Sequence, residues 1–386
     1  MKNSRDRAVV AAICLSLLVA CTEESGPTTT PGPVTSAATE DTTTTVAPSP
    51  TTTEAATTTA ASAVPDPTFE TFAGIDTIGD FSGLTASGSS RWVEAVPVEE
   101  VIVTSTVDGS EQPAWWLPPE GEGMPLLVIL HSWSSDYRQH AGIPYAMWAA
   151  ENGWAAIAPN FRGVNDHPEA MGSDLAVQDV VDAIDFALSQ PGVDPDHVYA
   201  VGYSGGGMMS LLIAGRFPDK VTGVSAWGPP YDLVWFYEQS ANEGRAYATH
   251  IRAGCGGNPI DDPAAADECL HRSPMTYLDA ARDAGVAVMI GHGIDDHLLN
   301  PRQSAVAFNQ LADEADRFSE EQLEQIGRSS LPDDLSGSVD AETFFGEGDP
   351  EPVFSRESGD VLLVYMNSDH EMVYEAAARW IASLLP

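Results

Sequence analysis

The chain has 386 residues, with 57 acidic against 17 basic side chains and a net charge of −40. That balance excludes nucleic acid as a partner, since its phosphate backbone is held by lysine and arginine. The one strongly apolar run, Ala8 to Ala20, is shorter than the about 20 residues a membrane-spanning helix needs, which excludes an integral membrane protein.

The first residues read as an export signal: Lys2, Arg5 and Arg7 precede the apolar stretch Val9 to Leu18, and small residues follow. Leu18-Val19-Ala20-Cys21 resembles the lipobox of bacterial lipoproteins. The resemblance implies that residues 1–20 are removed and that Cys21 is acylated. The chain would then sit on the outer face of the bacterial cytoplasmic membrane, touching it through lipid alone. Loss of Lys2, Arg5 and Arg7 together with Asp6 takes the net charge from −40 to −42. Residues 21–80 are expected to form a disordered tether. From Thr22 to Asp66 the composition is nearly all Thr, Pro, Ala, Ser and Gly, with 15 threonines between Thr28 and Thr59 and no aromatic residue, so too little apolar surface is available to offset ordering entropy. As a flexible coil such a spacer reaches about 35 to 40 Å.

Residues 81–386 alternate strand and helix patterns, the signature of a mostly parallel sheet covered on both faces. A hairpin is predicted over Val101 to Leu117, turning at Asp108-Gly109. Short apolar strands follow at Leu126 to Leu130, Ala155 to Ala158, Val198 to Val201, Val221 to Trp227, Val286 to Ile290 and Val361 to Tyr365. Helices are predicted over Ser173 to Ser189, with Ser173 as its cap, and over Gly205 to Phe217, ending at Pro218. Two insertions break the pattern: Pro229 to Pro274, and an acidic, turn-rich stretch from Asp316 to Gly359.

The strand Val198 to Val201 runs into Gly202-Tyr203-Ser204-Gly205-Gly206 and then an apolar helix. A strand, a sharp turn and a helix force the serine to protrude, and the helix N-terminus places positive partial charge beside it. The bland alternative is a glycine-rich turn without chemistry. Serine needs a base, and the base needs an orienting acid. Two later loops supply candidates: His292-Gly293-Ile294-Asp295-Asp296-His297, and Asn367-Ser368-Asp369-His370. Ser204, Asp296, His370 is the chain order of α/β-hydrolases.

From Leu126 to Trp380 the chain resembles the catalytic domain of the prolyl oligopeptidase family. The resemblance is carried by His131, Asn160-Phe161-Arg162-Gly163, Gly202-Tyr203-Ser204-Gly205-Gly206, His292-Gly293-Ile294-Asp295-Asp296 and Asp369-His370. It implies an α/β-hydrolase fold with a mostly parallel eight-stranded sheet, helices on both faces and a loop or lid insertion. It also implies Ser204 as nucleophile, Asp296 as acid and His370 as base, with Asp295 the near alternative and Asp232 a remoter one. Relatives often read HGG where this chain reads His131-Ser132-Trp133, so the oxyanion hole would use the N–H groups of Trp133 and Gly205. Fewer than 50 residues, Phe81 to Pro125, precede the strand leading to His131, which leaves no room there for the substrate-filtering propeller of family peptidases.

Cys255 and Cys269 remain once Cys14 and Cys21 are set aside, and an even pair in an exported chain predicts one disulfide over two free thiols. Five aromatics, Trp227, Tyr231, Trp235, Phe236 and Tyr237, either pack the core or wall a substrate pocket, for which Tyr203, Trp227 and Tyr231 are the candidates. His297 with His292 and Asp295 lacks a zinc-type pattern, so no metal and no cofactor is expected. The expected activity is acyl-enzyme hydrolysis of a small peptide, with ester hydrolysis as the alternative. A non-catalytic binding protein is the competing class.

Overall fold

The computed structural model describes residues 64–83, 86–332, 335, 344–345 and 350–386. The export signal, Cys21, most of the tether and much of the acidic insertion lie outside the described residues. In chain order the described part opens with two short helices, α1 (Ile78–Phe81) and α2 (Ser89–Ala95), then the hairpin β1 (Glu99–Thr104) and β2 (Glu111–Leu117). There follow β3 (Met124–Leu130), α3 (Ile143–Glu151), β4 (Ala155–Pro159), α4 (Asp174–Leu188), β5 (Val193–Tyr203), α5 (Gly205–Arg216) and β6 (Gly223–Trp227). Three helices come next: α6 (Leu233–Asn242), α7 (Tyr247–Gly254) and α8 (Pro263–His271). The rest is α9 (Leu278–Ala284), β7 (Ala287–Gly293), α10 (Arg302–Leu311), α11 (Glu320–Ile326), β8 (Pro352–Ser358), β9 (Val361–Met366) and α12 (Tyr374–Ser383).

The sheet order is β1-β2-β4-β3-β5-β6-β7-β9-β8. The six strands from β4 to β9 in that order pair in parallel, while β1, β2 and β8 run antiparallel at the margins. This is the α/β-hydrolase architecture. The sheet has nine strands rather than the expected eight. The additional strand, β8, lies inside the acidic insertion, where a polar, partly exposed edge strand leaves no apolar run to read.

Period-two alternation divides the core. Leu126, Val128 and Leu130 face one layer with Val180, Ile184, Met208 and Leu212, whereas Leu127 and Ile129 face the other with Trp148, Trp154, Tyr374 and Ile381. Ser173 accepts the Ala176 N–H at 3.1 Å and so caps α4, as its position before an amphipathic run requires. The domain begins earlier than Phe81. Phe72 and Ile78, inside the 21–80 span expected to be tether, are buried in the second layer, and Trp148 Nε1 donates to the Thr68 carbonyl at 2.8 Å. A few apolar residues suffice to recruit a polar segment once a complementary surface exists, which window composition does not register.

The 229–274 insertion is helical rather than a loop, built from α6, α7 and α8. Its sulfurs at Cys255 and Cys269 are bonded, with the Cα atoms 5.2 Å apart. Among the described residues no helix is long and apolar enough to cross a membrane.

Candidate active site

Ser204 sits between β5 and α5 at φ 56°, ψ −116°, a left-handed conformation that a serine adopts only under constraint. Its N–H donates to the Trp227 carbonyl at 2.7 Å, and its carbonyl accepts the Met208 N–H at 2.9 Å. The turn tolerates nothing larger than glycine on either side. A Cβ on Gly202 would collide with the Gly206 backbone, and one on Gly206 with the Leu130 and His131 carbonyls. The strand, the motif and the strain therefore describe one object.

Asp296 and His370 come from the loops after β7 and β9. His370 Nδ1 lies 2.5 Å from Asp296 Oδ2. The other oxygen of Asp296 accepts the N–H groups of Leu298 and Leu299, each at 2.8 Å, and His292 Nε2 stands 3.0 Å from Oδ2. Burial would push the Asp296 carboxyl up, but the His370 and His292 rings and their hydrogen bonds overcome that and hold it below the usual carboxylate range. Asp295, the near alternative, is exposed. Asp232, the remoter one, caps α6 by accepting from Val234 and Trp235.

His292 and His297 do not form a metal cluster with Asp295. His292 is buried, with Nδ1 2.6 Å from Ser304 Oγ, and braces the acid. His297 Nδ1 is 2.6 Å from Asp369 Oδ1, which also accepts the His370 N–H at 2.7 Å, so Asp369 clasps the acid loop to the base loop. The sequence placed His292 and His297 near the site but gave no sign of these roles.

Ser204 and His370 line one shallow cleft together with Trp133, Pro230, Phe236, Tyr247, Leu298 and Leu299. Trp133, Phe236 and Tyr247 form an aromatic corner, with ring centroids 5.4 to 5.9 Å apart and Trp133 edge-on to both others. Trp133 Nε1 donates to His250 Nδ1 at 3.3 Å. The three expected pocket residues are elsewhere. Tyr203 belongs to the opposite layer and donates its hydroxyl to the His370 carbonyl at 2.7 Å, supporting the base from behind. Trp227 is fully buried in the same layer, its Nε1 donating to Ser225 Oγ. Tyr231 is held by Gln303 and Gln310. Residue alternation explains Tyr203: the neighbour of an upward serine points down.

Trp133 and Gly205 are adjacent in space: a Cβ on Gly205 would stand 2.6 Å from the Trp133 N. The Trp133 loop is steadied by His131, whose ring stacks on Phe161 at 3.8 Å and whose nitrogens lie 3.0 and 2.6 Å from the Ser132 and Asn160 carbonyls. Burial is the main influence on His131 and lowers it below the ordinary histidine value, against the opposing effect of those two carbonyls. Next to it Arg162, at φ 74°, bonds Asp179 at 2.5 Å and Asp108 at 2.9 Å, which holds the strained Phe161-Arg162 turn in place.

The prolyl oligopeptidase family model matches residues 144–324, a span that includes Ser204 and Asp296. NocK of Nocardia uniformis subsp. tsuyamanensis is 36% identical over 122 residues, 28% of this chain and 34% of that protein. Feruloyl esterase B of Thermothelomyces thermophilus is 25% identical, covering 48% of this chain and 64% of the relative. Dipeptidyl aminopeptidase BIII of Pseudoxanthomonas mexicana is 28% identical, covering 47% and 27%. The chain thus spans less than two thirds of each of these relatives.

Proposed function

We propose, from the premise that the folded part of this chain is an α/β-hydrolase domain of the prolyl oligopeptidase family, that the protein is a serine hydrolase. The observation that carries this reading is the single cleft holding a strained, protruding Ser204 beside His370, whose far nitrogen is engaged by Asp296. His370 Nε2 is buried and has no partner among the described residues, so the nitrogen opposite the acid is available to the serine hydroxyl. In the proposed reaction Ser204 Oγ attacks a carbonyl while His370 takes its proton. The Trp133 and Gly205 N–H groups receive the developing oxyanion. The protonated His370 then gives its proton to the leaving group, and water repeats the sequence to release the acid.

Family membership and the match to a dipeptidyl aminopeptidase support cleavage of amide bonds in small peptides. A second reading, carboxylic ester hydrolysis, is favoured by the cleft itself. Among the described residues its wall brings aromatic and aliphatic groups but no carboxylate or ammonium to hold a peptide terminus, and a feruloyl esterase is among the relatives. In either case an apolar acyl side suits the wall, and the acidic chain disfavours anionic substrates through a repulsion that salt weakens. Export and lipid anchoring at Cys21 belong to the same proposal, and the intact mass of the mature chain tests them.

Fluorophosphonate labelling, followed by matched ester and peptide substrates, tests the activity. The expected result is labelling at Ser204 with turnover of at least one of the two classes. An unlabelled, folded protein would end the hydrolase reading, and ester turnover without amide cleavage would decide for the second one.

A further inference from the structure

Asn165 is buried, 1% exposed, on the segment that follows the Arg162 turn. Its backbone N–H donates to the Trp133 carbonyl at 2.8 Å, which ties it to the loop facing Ser204. Its side-chain oxygen accepts the Met171 N–H at 2.7 Å. That bond fixes the orientation of the amide, because only the oxygen can accept from a backbone N–H. The nitrogen, Nδ2, is therefore directed the other way, where it is buried and has no partner among the described residues. A buried donor left without an acceptor is costly.

Gly205 packs beside that nitrogen. A Cβ on that glycine would stand 2.6 Å from the Trp133 N and 2.9 Å from Asn165 Nδ2. Asn165 Nδ2 and the Trp133 N thus both lie against Gly205, whose N–H is the other group expected to receive the oxyanion. Neither of those N–H groups is given an acceptor by the described residues. Two buried donors thus pack against Gly205, the residue that follows the nucleophile and supplies the third, and an anionic oxygen is a group that all three could bond.

We propose that Asn165 is a catalytic residue, the third donor of the oxyanion hole; this rests on the serine hydrolase reading. As the Ser204 Oγ–carbon bond forms, the carbonyl π pair moves onto oxygen and the hydroxyl proton passes to His370 Nε2. Asn165 Nδ2 then donates to that oxygen, and the bond is lost again when the tetrahedral adduct collapses. The donor is satisfied when charge has developed, so its benefit falls on the transition state rather than on substrate binding.

The experiment compares the parent with Asn165→Asp and Asn165→Ala. Asp keeps the size and the acceptor for Met171 but replaces the donor by oxygen. The parent is first titrated with a fluorophosphonate; if it does not react, the hydrolase reading fails and this proposal with it. With a reactive parent, kcat in both variants should fall by about a hundredfold to a thousandfold while KM moves less than about threefold. Affinity for a trifluoromethyl ketone, whose adduct carries the oxyanion, should fall in parallel with kcat. In the parent, the Asn165 side-chain amide protons should shift downfield on forming that adduct, a reading that depends on no variant folding. An unmoved amide signal, or kcat within threefold of the parent in a folded variant, overturns the role while leaving the hydrolase reading intact.

Discussion

The site is built by two regions that differ in how they are held. The reacting groups stand on the carboxyl ends of parallel strands, where almost every polar atom has a fixed partner: Asp296 receives four donors, and Asp369 clasps two loops at once. The cleft wall comes instead from the inserted helices and the His131–Trp133 loop, and its contacts are ring edges and aliphatic surface. Chemistry requires placement within a fraction of an ångström, whereas accommodation of an acyl chain requires shape. Substitutions in the first region should therefore abolish turnover whatever the substrate, and substitutions in the second should re-rank substrates.

The largest effect tests the first half of that contrast. Ser204→Ala and His370→Ala should each lower kcat by about ten-thousandfold to a millionfold with the thermal midpoint little changed, because the members of a triad act as a unit. Retention of a tenth of the activity by a folded variant would remove that residue from the mechanism. Next comes the acid. Asp296→Asn should lower kcat by about ten-thousandfold through loss of the orienting charge, and Asp295→Asn should stay within about threefold since its side chain is exposed. The reverse order, measured on one substrate, would shift the role by one residue.

A smaller, substrate-dependent effect tests the second half. Phe236→Ala and Tyr247→Ala should reduce kcat/KM for a bulky apolar acyl ester by about tenfold or more, while an acetyl ester changes by less than about threefold. Equal losses on both substrates would place these rings in the catalytic scaffold and erase the distinction between the regions.

The same contrast governs what the sequence discloses. The elbow at Ser204 was legible because strand, glycines and helix are contiguous, and the acid and base loops were legible because each directly follows an apolar strand. The wall was not. Trp133, Phe236, Tyr247 and Leu298 lie on four separate segments, and their meeting depends on how α6 and α7 pack, which no local pattern encodes. Tyr203, Trp227 and Tyr231 drew attention by proximity in sequence to the nucleophile and to one another, but β-strand alternation and side-chain hydrogen bonds turn them away from the cleft. Asn165 escaped for a different reason: its significance lies in a nitrogen left without a partner, a property of the packed molecule alone.

The smallest expected effect concerns the loop between the two regions. His131 steadies the Trp133 loop while buried, and burial lowers it below the ordinary histidine value. In the unfolded chain the same side chain returns to a pKa of about 6.5, so below that pH the unfolded state binds more protons than the folded one. A depressed folded pKa therefore gives a contribution that is complete above about pH 6.5 and declines as the pH falls toward the folded value, with acid favouring unfolding. His131→Asn removes the titrating group while leaving an amide able to reach one of the two carbonyls. The variant should be less stable than the parent at pH 8, through loss of the stack on Phe161. Its thermal midpoint should then fall less than the parent's between pH 7 and pH 5, so that the two curves converge on the acid side. Parallel curves would mean that His131 titrates alike in both states, and the loop would owe its acid sensitivity to other groups.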